Sequence, residues 1–271
     1  MSDGRILVVV IRTPYSNRYI PIEALLRDDY RFKIRYVEAT MAYSYRDLLS
    51  KNISFSHEKF ELCYGRKLSP AEIGCAESHN RAREVIQSSL SGGVILEDDA
   101  RIKNVDHFYN SVSIFLAQKS NSHSVLNLTG FRNLNLKSYK SKFYNRIFVH
   151  PDLAVGYALT ALAASALHHA NLPISSVADW PRSRCKYYVP NIVSIDHGDS
   201  NTSSLIDSNT SFIRVKPKFS FKLKQFIIIL FFFRLKDRVT LSEYFSNVVS
   251  TRVLWRIEKI RLTLIGFRNS K

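Results

Sequence analysis

Cysteine is scarce in this chain, with only Cys63, Cys75 and Cys185 among 271 residues. They form no Cys-x-x-Cys pair and their number is odd, which excludes a disulfide-stapled scaffold and a cysteine-rich zinc fold. A reducing compartment is expected. Long apolar runs are missing too: Phe226 to Phe233 is eight residues, whereas a helix needs about 20 to cross a bilayer. The apolar stretch Ile6 to Ile11 turns polar again at Arg12, too soon for an export signal, and reads as a first core strand. No internal repeat is visible, which argues against a solenoid.

Acidic residues are outnumbered, 23 against 39 Lys and Arg, for a formal charge of +16. The excess is not spread evenly. From Phe212 onward there are fourteen Lys and Arg against three Asp and Glu, so +11 of the charge lies in the last sixty residues. The Ser, Asn, Thr and Asp-rich stretch Asp199 to Thr210 has linker composition, which places a boundary near Ser211. Residues 1–211 are expected to be one catalytic-type domain and residues 212–271 a basic, apolar tail. In that tail Lys222, Lys224, Arg234, Lys236 and Arg238 flank the apolar run. That pattern suits helices lying in the plane of an anionic membrane surface, their basic side chains reaching to the headgroups. A helical appendage packed on the core is the alternative. Nucleic acid is not the expected partner, because the Phe and Ile-rich run matches lipid better than a phosphate backbone.

Up to Ser211 the segments alternate: Ile6 to Ile11 as strand, Ile20 to Arg27 as helix, Lys33 to Glu38 as strand. The clearest helix opens at Ser69-Pro70-Ala71-Glu72, where Ser69 can cap, Pro70 suits the first helical position and Glu72 completes a capping box. It is expected to run to about Ser89, and Ser91-Gly92-Gly93 stops it. Further on come Val105 to Gln118 as helix, Ser124 to Leu128 as strand, and Phe131 to Arg146 as an aperiodic loop. Arg146 to Val149 reads as a strand, Gly156 to Thr160 as a short strand or turn, and Ala161 to Ala170 as a helix. Tyr187 to Ile195 reads as a strand whose Pro190 suits an edge or a bend.

The sequence is most informative at Gly92-Gly93-Val94-Ile95-Leu96-Glu97-Asp98-Asp99-Ala100, an apolar strand that delivers three consecutive carboxylates to its end. Their repulsion needs a positive partner, and a hard divalent cation that takes oxygen ligands is a natural one. A solvated strand end is the plain alternative.

The helix Lys67-Leu68-Ser69-Pro70-Ala71-Glu72-Ile73-Gly74-Cys75-Ala76-Glu77-Ser78-His79, followed by the acid-tipped strand, resembles glycosyltransferase family 25, the bacterial lipooligosaccharide galactosyltransferases. The opening Val8 to Arg12 with Arg18, the Gly156-Tyr157 segment with Thr160 and Ala164, and Val177-Ala178-Asp179-Trp180 are similar to further segments of that family. Two departures stand out: no glycine precedes Ala164, and Ala100 replaces the usual valine after the triplet. The resemblance implies an α/β, GT-A-like nucleotide-sugar-binding fold with a mixed, mostly parallel sheet, to which the charge and composition after Ser211 add the basic C-terminal helical appendage. It also implies transfer of a hexose, typically galactose from UDP-galactose, with inversion onto a lipooligosaccharide or lipopolysaccharide sugar hydroxyl.

In such a site Asp99 would be the principal Mn²⁺ or Mg²⁺ ligand, with Glu97 and a late His197 as further ligand candidates. Glu97 and Asp98 would hold metal waters or ribose hydroxyls. Ser78 and His79 would face the donor pocket, Arg12 and Arg18 would clamp the uracil or phosphates, and Asp179 would take the acceptor hydroxyl's proton. The expected partners are a UDP-sugar donor, a lipid-linked oligosaccharide acceptor and the anionic inner face of the cell membrane, with the protein cytoplasmic and peripheral. A catalytically inactive membrane-surface binding or assembly subunit of the same fold is the alternative.

Overall fold

The structure is a computed structural model that describes residues 4–64, 66–129, 143–147, 154–178, 183 and 185–197. The basic tail, most of the Phe131 to Arg146 stretch and Asp179 lie outside the described residues.

A seven-stranded mixed sheet forms the centre. Strand β1 (Ile6–Arg12) pairs in parallel with β2 (Phe32–Glu38) on one side and with β3 (Gly93–Glu97) on the other. Beyond β3 come β7 (Gly156–Leu159), β5 (Ser124–Asn127), β8 (Lys186–Pro190) and β6 (Tyr144–Ile147), in the order β2-β1-β3-β7-β5-β8-β6. Pairings of β3 with β7, β5 with β7 and β6 with β8 are antiparallel, so five of the seven strands run one way and β6 and β7 run against them. Strands β4 (Ala100–Ile102) and β9 (Ile195–His197) make a separate antiparallel pair.

Helices cover both faces, which explains why β1 and β3 are apolar up to their last residues, Arg12 and Glu97, rather than alternating. On one face α1 (Ile20–Leu26) and α5 (Val105–Lys119) bury Ile22, Leu26, Phe108, Val112 and Phe115 against Val8, Val10, Val94 and Leu96. Residues of opposite parity, such as Ile95 and then Glu97, point to the other face. There α4 (Pro70–Gln87) lies against β1 and β3, with α6 (Ala161–Ala170) packed beside it.

Helix α4 begins as its sequence dictates. The Ser69 hydroxyl accepts from the Glu72 amide at 3.2 Å and the Glu72 carboxylate accepts from the Ser69 amide at 2.9 Å, a reciprocal capping box. Arg66 adds two hydrogen bonds to the same carboxylate, at 2.8 and 2.5 Å. After the helix Gly92 takes φ +89, and a Cβ there would stand 2.3 Å from the Leu159 carbonyl oxygen, so the turn into β3 requires glycine.

Two short helices, α2 (Tyr45–Ser50) and α3 (His57–Tyr64), precede α4 and were not expected from the sequence. Pro190 is not on an edge strand: β8 lies between β5 and β6, and Pro190 is its last residue. The chain bends there, and Ile195 begins a strand of the other sheet. No helix among the described residues is long and apolar enough to cross a membrane.

Candidate active site at the tip of β3

The chain leaves β1 for β2 on one side and later returns to β3 on the other, so the strand order reverses between β1 and β3. In open α/β sheets the crevice beyond the carboxyl ends of two such strands is where ligands bind. At that point β1 ends with Arg12, followed by Thr13, and β3 ends with Glu97, followed by Asp98 and Asp99.

The three acids do not act as one cluster. Glu97 is the last residue of β3, and its parity sends it to the α4 face. Its carboxylate Oε1 lies 3.1 Å from His79 Nε2, and its amide donates to the Val155 carbonyl at 2.8 Å. His79 is 1% exposed, and its other ring nitrogen, Nδ1, is 3.0 Å from the Tyr157 hydroxyl, with the two rings stacked. Burial pushes the Tyr157 hydroxyl up to about 12, against the opposing pull of Arg83, so it stays protonated at neutral pH. Arg83 is itself fully buried. It donates to Asn80 Oδ1 at 3.1 Å and to the Ala178 carbonyl at 2.8 Å, and its guanidinium lies 6.0 Å from the centre of the Tyr157 ring.

Asp98 and Asp99 occupy the turn between β3 and β4 and face the end of β1 instead. Asp98 Oδ2 accepts from the Thr13 amide at 3.1 Å, and Arg18 reaches both acids, 2.5 Å from Asp99 and 3.6 Å from Asp98. Both aspartates are nearly buried, at 5% and 8%. Their mutual repulsion is therefore relieved by a guanidinium of the chain itself.

The remaining expected residues are Arg12, Ser78, His197 and Asp179. Arg12 is held above the rings of Tyr19 and Tyr36, at 5.4 and 5.7 Å from their centres. Ser78 is engaged within the fold: its hydroxyl donates to the Gly74 carbonyl at 2.7 Å and accepts from the Thr40 amide at 2.8 Å. The contact depends on Gly74, since a Cβ there would stand 2.3 Å from the Thr40 carbonyl oxygen. His197 is brought near by its backbone, which pairs with Ala100, the residue after Asp99. Asp179 lies outside the described residues, directly after Ala178.

Sequence reasoning did not single out the Thr13 amide, Arg83 or Cys75. Cys75 precedes His79 by four residues on α4, a spacing that puts both on one helical face and is legible without coordinates. Arg83 gave no comparable signal, because a helical arginine ordinarily lies in solvent.

The carboxylates of Asp98 and Asp99, with Arg18 beside them, form an all-oxygen pair of the kind a hard divalent ion takes. The sequence profile of glycosyltransferase family 25 (LPS biosynthesis protein) matches residues 29–179, more than half of the chain. Ser78, His79, the acid triplet and Asp179 lie within that span, and Arg12, Arg18 and His197 lie outside it. No curated protein matches the chain.

Proposed function

Because the chain belongs to glycosyltransferase family 25, we propose that it moves a hexose, galactose from UDP-galactose, onto a sugar hydroxyl of a lipid-linked lipooligosaccharide, with inversion and within a GT-A-like site. The observation that carries this reading is the meeting of Asp98, Asp99 and Arg18 at the reversal point of the sheet, on the same crevice as Thr13.

Asp99 and Asp98 would hold the cation; Glu97, turned to His79, stands outside that pair. Mn²⁺ or Mg²⁺ bound there supplies positive charge to a departing diphosphate. Arg18 is suited to orient the diphosphate oxygens, since its guanidinium already reaches into the acid pair and is 28% exposed. The acceptor hydroxyl attacks the anomeric carbon from the face opposite the nucleotide. The bond from that carbon to the diphosphate oxygen breaks, and the proton passes to a carboxylate, for which Asp179 is the candidate. The tail, residues 212–271, would hold the enzyme against the anionic inner face of the membrane, where a lipid-linked acceptor is presented.

The test is incubation of the full chain with a panel of nucleotide hexoses, Mn²⁺ and lipooligosaccharide, followed by measurement of released nucleotide. Release from UDP-galactose that EDTA abolishes is the expected result. Absence of release from every donor would favour the inactive-subunit alternative, and release indifferent to EDTA would remove the metal.

A further inference from the structure

Cys75 and His79 stand one turn apart on α4 and share its sheet-facing side. That is the side to which β3 delivers Glu97. A ligand atom from each, the Cys75 sulfur, a His79 ring nitrogen and a Glu97 carboxylate oxygen, lie within 4.8 Å of one another. Two ligands at i and i+4 on a helix, joined by a carboxylate from another element, are a recurrent means of holding zinc with a fourth position left open. We propose that Cys75, His79 and Glu97 form a site for a zinc-class divalent cation, separate from the aspartate pair on the other side of the strand tip.

Three features support the site independently of the transferase reading. Thiolate, imidazole and carboxylate together select a borderline-soft ion over Mn²⁺ or Mg²⁺, which prefer all-oxygen sets. The outer shell is in place: Nδ1 lies 3.0 Å from the Tyr157 hydroxyl, which fixes the ring and would accept the Nδ1–H of a metal-bound imidazole, and Nε2 faces Glu97 at 3.1 Å. Cys75 and Glu97 are partly exposed while His79 is buried, so an ion has a route in. A thiolate and a carboxylate also balance the charge of a divalent ion. Closing the set around zinc, with metal–ligand distances of about 2.0 to 2.3 Å, requires a contraction on the order of 1 Å, within reach of side-chain rotation.

Cobalt(II) added to the full-length protein is the probe, because a coordinated thiolate gives a charge-transfer absorption that oxygen and nitrogen ligands do not. One equivalent of Co²⁺ is expected to produce that band, displaced by Zn²⁺, and a Cys185→Ala, Cys63→Ala protein should keep it. Cys75→Ala should lose the band, and Cys75→Ser, which preserves side-chain volume, should lose or weaken it with circular dichroism unchanged. Asp99→Asn should retain it. A wild-type protein without the band, a band that survives Cys75→Ala, or one lost in Asp99→Asn with the fold intact would each overturn the assignment.

Discussion

The two sides of the β3 tip receive the same kind of residue and treat it differently. On the β1 side, Asp98 and Asp99 meet a backbone amide and the partly exposed Arg18, groups that can rearrange when an anionic ligand arrives. On the α4 side, Glu97 meets buried His79, itself backed by Tyr157 and Arg83 in the interior. Carboxylates adjacent in sequence thus divide into a pair that meets Thr13 and Arg18 and one that meets His79. The number of acids in a motif does not tell how many share a site.

The largest effect that would sharpen this contrast is expected at Asp99. Asp99→Asn keeps the volume and removes the charge, so nucleotide release should fall on the order of 10²- to 10³-fold, as when an electrostatic stabiliser is lost, with an unchanged circular dichroism spectrum. Near-normal turnover would erase the functional distinction between the two sides. Next in size is Arg18→Gln. Charge-assisted hydrogen bonds contribute about 1.5 to 3 kcal/mol, so kcat/KM for the donor should drop about ten- to a hundredfold, chiefly through a higher KM. A loss of stability in place of a loss of donor affinity would make Arg18 scaffold rather than ligand contact.

On the α4 side the expected changes are in stability. Gly74→Ala introduces a Cβ 2.3 Å from the Thr40 carbonyl oxygen, which must push α4 from the segment after β2 and stretch the Ser78 to Thr40 bond. A destabilisation of about 1 to 3 kcal/mol in urea unfolding is expected; a neutral result would mean that α4 moves freely and that its side of the tip is not rigid. The smallest effect concerns Glu72. Burial works to raise its pKa, but the Arg66 hydrogen bonds, the Ser69 amide and the Arg66 charge together hold it below the ordinary 4.5. A carboxyl lowered on folding adds stability above its unfolded pKa and loses it as pH falls through the folded value. The urea midpoint of wild type should therefore decline below about pH 4.5 more steeply than that of Glu72→Gln. Parallel acid limbs would remove the Arg66–Glu72 contact as an anchor of α4.

Much of the architecture was readable because its signals are local. Ser69, Pro70 and Glu72 specify the start of α4 within four residues, and Gly92, at φ +89, specifies the turn into β3 that follows it. Ala161–Ala170 forms the expected helix, and Thr160 caps it through the Ala163 amide. Helices α2 and α3 escaped because six and eight residues are too few for a helical period to stand out. Tyr187 to Ile195 looked continuous because strand propensity cannot tell that Ile195 pairs with Ile102 while Tyr187 pairs with Val125. At the site, the carboxylates and His79 were legible as residue types, but their pairings were not. Ser78 looked available beside His79, yet Gly74 lets the Thr40 amide approach and take its hydroxyl.

The sequence by itself determined the α/β alternation, the capped helix before an acid-tipped strand, and a positive charge concentrated after Ser211, since each follows from residue type and short-range spacing. Only the tertiary structure decided which acid meets which partner. Strand parity turns Glu97 toward a helix eighteen residues earlier, and the turn after β3 brings Asp99 to Arg18, 81 positions away. Contacts at such separations depend on the closure of the whole sheet, and no local pattern of residues encodes them.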